Sequence, residues 1–218
     1  ILFRAAMSDM VVPYGSADPM HSWKAVHDGT EYGFGRMSNS LTLGCDCLGE
    51  IHYFNSSGIS FDGSVEVIEN AICLHEEDYG IQWKHNDGMG APNEVRRSRR
   101  LVISSISTIG NYDYGLFWYL YLDGTIEAEV KLTGIVGISA YNEDKHNPNQ
   151  DLRISKELVS PVHQHLFCMR LDWNLDGGNN QLFESEIELM PDDDNIAFGM
   201  EFLSVSTNLI SEHVANRD

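Results

Sequence analysis

The chain has 218 residues, 42% hydrophobic and 22% charged, a composition that builds a core and excludes a disordered chain. With 33 Asp and Glu against 14 Lys and Arg, the formal net charge of -19 excludes sequence-independent DNA or RNA binding and suits cationic small molecules. No apolar run of about 18 residues exists, so no membrane span is expected, and the first residues do not read as a signal peptide.

In chain order, Ile1-Leu2-Phe3-Arg4-Ala5 begins abruptly in an apolar stretch, and the last residues carry no tail composition. Both ends read as cut, so the expectation is a piece of a longer protein. Residues 19–26 are expected to hold one short helix. Residues 51–54 and 65–68 read as paired strands across a Gly-containing loop, and residues 86–94 as a long loop with Gly88, Gly90 and Pro92. Residues 101–106 and 116–122 read as strands, and Asp123-Gly124 as a hairpin turn. On the return strand Ile126, Ala128, Val130 and Leu132 are expected on one face, with Glu127, Glu129 and Lys131 on the other. Residues 134–138 continue the strand pattern. Residues 141–150 read as a polar loop and 191–195 as an acidic turn; residues 203–216 match no template. Short strands and frequent turns make the fold mainly β, an antiparallel β-sandwich with few short helices.

Four cysteines are too few for a disulfide-built scaffold. Cys45-Asp46-Cys47 and Cys73 leave two readings: one bridge from Cys73 to Cys45 or Cys47, or buried thiols throughout. Three other segments carry chemistry. On a strand, His163 and His165 share a face, so two imidazoles can converge on one Zn, Cu, Fe or Ni ion. Phe167, Met169 and Leu171 continue that face as an apolar stripe, and the plain alternative is two partly exposed strand histidines. Residues 171–177 offer Asp172, Asn174 and Asp176 as oxygen donors for a hard cation, or else an Asx-type turn closed by Gly177 and Gly178. In residues 108–114, Gly110-Asn111 signals a bulge, a kink or a close backbone approach.

The stretch Thr108-Ile109-Gly110-Asn111-Tyr112-Asp113-Tyr114 resembles the cofactor segment of the copper amine oxidases. Met10-Val11-Val12-Pro13-Tyr14-Gly15, Asp28-Gly29-Thr30-Glu31-Tyr32-Gly33, Leu43-Gly44-Cys45-Asp46-Cys47-Leu48-Gly49, Cys73-Leu74-His75-Glu76-Glu77-Asp78 and His163-Gln164-His165 with Arg170-Leu171-Asp172 are similar to that family in the same order. The resemblance implies that residues 1–218 are a partial catalytic β-sandwich domain, truncated at both ends relative to the family. It implies Tyr112 as the tyrosine converted to topaquinone, Asp28 as the base that removes the substrate α-proton, Tyr14 as hydrogen-bonded to the quinone oxygen, and Asn111 as packed against its ring. It implies His163 and His165 as two of three copper ligands, Cys47 and Cys73 as a disulfide, and Asp172 with the Trp173 carbonyl as ligands of a second cation such as calcium. Asn174 departs from the carboxylate some members carry.

The implied reaction is oxidative deamination of a primary amine by dioxygen to an aldehyde, ammonia and hydrogen peroxide, in a homodimer. The third family histidine lies far downstream, and His213 does not sit in its context, so His213 is not assigned to copper. The competing expectation is a catalytically inactive β-sandwich binding domain or fragment that lacks the third ligand. A generic H-x-H metallohydrolase leaves Asn111-Tyr112-Asp113 unexplained. No compartment is read from the sequence.

Overall fold

The computed structural model describes residues 1–15, 33–90, 92–145, 147–190 and 202–215. The expected helix at 19–26, the acidic turn at 191–195 and Asp28 lie outside them. In chain order the strands are β1 (Leu2–Val11), β2 (Ile51–Ile59), β3 (Val65–His85), β4 (Glu94–Ile109), β5 (Tyr112–Tyr121), β6 (Ile126–Gly134), β7 (Ser139–Ala140), β8 (Asp151–Arg153), β9 (Leu158–Pro161), β10 (Leu166–Trp173), β11 (Phe183–Leu189) and β12 (Phe202–Asn208), followed by helix α1 (Glu212–Ala215). Among the described residues strands hold 60% and helix 4%, so the mainly β expectation holds. The chain divides into two compact units: Ser8–Cys168, and Ile1–Met7 with Met169–Asp218.

The larger unit is built on a five-stranded antiparallel sheet in the order β2-β3-β4-β5-β6. Consecutive strands are neighbours, so each link is a hairpin. Between β2 and β3 the Ser60 N–H reaches the Ser64 carbonyl at 2.8 Å, and Asp62 caps Ser64 at 2.9 Å. Between β5 and β6 the turn at Asp123-Gly124 forms as expected, with Tyr121 N–H on the Thr125 carbonyl at 3.0 Å. Aromatic and β-branched residues of β4 and β5 pack on both faces, and Val102, Tyr114 and Tyr119 are buried. A smaller sheet, β7-β9-β8, follows, and β1 and β10 form a two-stranded sheet.

Two small cores anchor this unit. One joins Met10, Val12 and Tyr114, with Phe34, Ile109, Tyr112 and Phe167 against it. The other joins Leu41, Cys47 and Cys73, with Ile51, Tyr53 and Ile106. Across the sheet face, Arg100 stacks 3.8 Å over the Tyr119 ring, and its Nε and Nη2 donate to Glu77 at 3.0 and 2.9 Å. In the other unit β11 and β12 pair antiparallel from Phe183↔Asn208 to Leu189↔Phe202. The strict alternation Phe183-Glu184-Ser185-Glu186-Ile187-Glu188-Leu189 is a strand pattern, and the strand at 202–208 accounts for part of the segment that matched no template.

Two expectations are corrected. Gly110-Asn111 does not kink one strand; it is the two-residue turn of the β4–β5 hairpin, closed by the pair Ile109↔Tyr112. Gly110 has φ +61°, the first central position that a two-residue hairpin turn asks of glycine. Residues 135–138 are not strand. The sheet stops at Gly134, whose φ of +106° turns the chain away. The two faces expected for β6 hold: Glu127, Glu129 and Lys131 share the face of Tyr121, Tyr119 and Phe117, and because β6 is an edge strand Leu132 on the other face is still 50% exposed.

Candidate active site

The β4–β5 hairpin presents Tyr112. Thr108 and Asp113 face each other directly across it, and the Thr108 hydroxyl donates to Asp113 Oδ1 at 2.5 Å. Asn39 Nδ2 donates to the same hydroxyl oxygen at 3.1 Å, which ties the hairpin to the segment after the 3-10 turn Phe34–Met37. Thr108 and Asp113 therefore brace the turn, and the spacing of the motif is the spacing of a cross-strand pair. At the open end Gly134 lies against the turn backbone. A Cβ there would meet the Asn111 carbonyl oxygen at 2.4 Å, Tyr112 Cα at 2.9 Å and Asp113 N at 3.0 Å. Ile135 N–H then donates to the Asn111 carbonyl at 2.7 Å, and Gly137 N–H donates to the Tyr112 hydroxyl at 2.9 Å. The Ser160 hydroxyl donates to the Gly137 carbonyl at 3.0 Å and holds this corner on β9.

Two distant segments bring the other groups. Gly15 N–H donates to the Val162 carbonyl at 2.8 Å, and Tyr14 bridges His163 in antiparallel fashion. Tyr14 stacks on the His163 ring with centroids 4.5 Å apart and planes 18° apart. The His163 and His165 rings lie 5.1 Å apart, and the Tyr112 ring is 5.5 Å from the first and 5.2 Å from the second. Tyr112 is the side chain that bears most on the Tyr14 hydroxyl. Burial and then the neighbouring Tyr112 push the Tyr14 phenol well up, so it stays protonated and able to donate. Burial and Tyr112 likewise push Tyr114 up to about 12.

Both imidazoles use Nδ1. His163 Nδ1 donates to the Pro161 carbonyl at 2.8 Å, since a carbonyl oxygen only accepts. His165 Nδ1 lies 3.1 Å from the Tyr114 hydroxyl. Neither Nε2 has a hydrogen-bond partner among the described residues, so each is left for a metal. Burial, and then His163, lower the proton affinity of His165, which favours the neutral ring that ligation needs. The donor set fits copper as two imidazoles. Among the described residues no group of three His, Cys, Asp or Glu gathers.

The structure thus brings together Tyr14, Asn111, Tyr112, His163 and His165. Asn111 is exposed in the turn, and its carbonyl accepts the bond from Ile135 N–H. Asp172 and Trp173 end β10 in the other unit, where the Trp173 carbonyl accepts from Asn180 Nδ2 at 3.2 Å. Asn174 Oδ1 accepts from Gly177 N–H at 3.2 Å, the Asx-type turn. Cys47 and Cys73 share a buried core as free thiols, and Cys45 is exposed and free. Sequence reasoning did not single out Gly134, Gly137 or Tyr114 as neighbours of the site. Positive φ at Gly134 leaves only a glycine as its signal, and Tyr114 lies 51 residues from the histidine it meets.

The enzyme-domain model of the copper amine oxidase family matches residues 1–218. A histamine oxidase of Arthrobacter globiformis is 46% identical over 222 residues, covering 100% of this chain and 32% of that protein. A primary amine oxidase of Arthrobacter sp. (strain P1) is 44% identical, covering 100% of this chain and 33% of that protein. The crystal structure of a copper-containing benzylamine oxidase from Hansenula polymorpha superposes with a TM-score of 0.83 at 30% identity, covering 95% of this chain and 33% of that one. The chain spans about a third of the length of the curated relatives it matches.

Proposed function

The chain belongs to the copper amine oxidase family, and on that premise we propose that it carries the reacting groups of a protein that oxidises primary amines. The net reaction is amine plus water plus dioxygen to aldehyde, ammonia and hydrogen peroxide. One observation carries the reading: Tyr112 packs against both imidazoles, whose Nε2 atoms are left for a metal, with Tyr14 stacked on one of them. His163 and His165 would hold copper. Copper with dioxygen supplies the oxidising equivalents that convert Tyr112 to topaquinone, and the quinone supplies an electrophilic carbonyl for the amine.

The remaining work falls to this chain's own side chains. Tyr14, kept protonated by burial, holds the hydrogen bond at the Tyr112 oxygen. Gly137 N–H holds a second bond at that oxygen, at 2.9 Å. The Thr108–Asp113 brace and the turn at Asn111 fix the ring's point of attachment. Asp28 is the base that takes the substrate's α-proton, a role that suits a carboxylate. The net negative charge draws the ammonium form of the amine toward the protein. On the same reading Cys47 and Cys73 oxidise to a disulfide, Asp172 and the Trp173 carbonyl bind a second cation, and the complete protein is a homodimer. A second reading, a β domain that keeps the fold without the chemistry, is favoured by the lack of a third donor among the described residues.

The deciding experiment is phenylhydrazine titration of the copper-loaded, full-length protein, with visible absorbance and peptide mass mapping. An adduct on the peptide with Tyr112 is expected. An unmodified Tyr112 after exposure to copper and oxygen establishes the second reading instead.

A further inference from the structure

The two imidazoles are held at Nδ1 by chemically different partners. The carbonyl of Pro161 can only accept, so His163 has one arrangement: proton on Nδ1, lone pair on Nε2. His165 faces a hydroxyl, which can donate or accept. That hydroxyl belongs to Tyr114, which is 2% exposed. Its ring is wedged edge-on against Phe34 at 5.5 Å and Phe167 at 6.2 Å, so it has no freedom to swing to another partner. His165 Nδ1 is the one hydrogen-bonding atom within reach of the Tyr114 oxygen among the described residues.

We propose that Tyr114 is a positioning residue for His165, whose hydroxyl sets the ring's tautomer and orientation and reverses its hydrogen bond when a metal arrives. The inference rests on the copper reading of His163 and His165. Without metal, a buried hydroxyl with a single neighbour donates to it, because an unsatisfied buried O–H is costly. His165 then carries its proton on Nε2. A metal on Nε2 requires the proton on Nδ1, and the same oxygen then accepts it. No heavy atom has to move: the hydroxyl hydrogen rotates, and one imidazole proton exchanges through solvent. A carbonyl at this position would fix the metal-ready form permanently, as it does for His163. A phenylalanine would support neither form and would leave the ring free to turn.

The test compares copper affinity, by chelator competition, of the metal-free full-length protein with its Tyr114→Phe and His165→Asn variants. Tyr114→Phe is expected to bind copper about 10- to 100-fold more weakly while keeping the circular dichroism of the unmutated protein. If His165→Asn leaves affinity unchanged, the ligand reading fails, and this inference with it. If His165→Asn lowers affinity and a folded Tyr114→Phe does not, only the role of Tyr114 fails. Solid-state 15N spectra of selectively histidine-labelled, unmutated, metal-free protein decide the matter even if Tyr114→Phe does not fold. The His165 resonances, assigned by their loss in His165→Asn, are expected to show a proton on Nε2, moving to Nδ1 on loading with zinc. A proton on Nδ1 already in the metal-free protein overturns the proposal.

Discussion

Replacing Gly134 by alanine isolates the part the backbone plays in placing Tyr112. The new Cβ would sit 2.4 Å from the Asn111 carbonyl oxygen, 2.9 Å from Tyr112 Cα and 3.0 Å from Asp113 N. All three are main-chain atoms, so no rotamer relieves the overlap. Restoring an ordinary contact of about 3.4 Å to the carbonyl takes a shift of about 1 Å. The φ of +106° adds its own cost for an L-residue, about 1–2 kcal/mol. With the overlap, the expected loss is about 2–5 kcal/mol. The displaced atoms are those that carry Tyr112 and the turn, so the effect reaches chemistry as well as stability. A misplacement of about 1 Å is worth about 100-fold in rate. Urea unfolding and hydrazine-titratable quinone per copper measure the two effects. Gly124→Ala is the control: its φ is +88°, but a Cβ there meets nothing within 4 Å, so it shows the dihedral cost alone. A Gly134→Ala protein no less stable than Gly124→Ala, with full quinone content, would refute the reasoning.

The Arg100 network and the cysteine pair give two more expectations. Burial pushes the Glu77 carboxyl up, but hydrogen bonds from His75 and Arg100 outweigh it and hold the group below the glutamate range. A depressed folded-state pKa means stability that is present above the unfolded value of about 4.3 and lost as pH falls through the folded one. Glu77→Gln should therefore lower stability at neutral pH by about 1 kcal/mol, after allowance for exposure. It should also flatten the acid limb of a urea-midpoint profile; an unchanged acid limb counts against it. Burial, and then Cys47, push the Cys73 thiol up to about 12. Iodoacetamide at pH 8 should label Cys45 and spare Cys73 in the reduced protein. Non-reducing peptide maps of air-oxidised protein should show Cys47 linked to Cys73, and a link through Cys45 instead would refute that pairing.

Legibility followed locality. The Asp123-Gly124 turn, the alternation of β10 through Met169 and the pairing of β2 with β3 could be read because the determining residues lie within one hairpin. The Gly110-Asn111 turn was misread because a glycine in a β-rich run signals bulge and turn alike, and only the Ile109↔Tyr112 pairing distinguishes them. The length of β3 was hidden by Tyr79-Gly80, where the register shifts and the strand nonetheless continues. At the site, residue types were visible and their partners were not. Nothing near His165 in sequence points to Tyr114, and nothing near Tyr112 points to Gly134 or Gly137. Those contacts exist only after the sheet has formed.

The bridge between Tyr14 and His163 bears on biosynthesis. The β4–β5 hairpin can close as soon as it leaves the ribosome, but His163 is encoded well after it, and its bridge partner Tyr14 near the start. Such a long-range closure is entropically slow compared with hairpin formation. The nascent chain therefore passes through a stage in which Tyr112 is already folded and has no metal beside it. On the proposed copper reading, the phenol is spared oxidation during that stage because neither imidazole is yet present to hold the metal. On the same reading, copper can be held only after residue 165 has been translated.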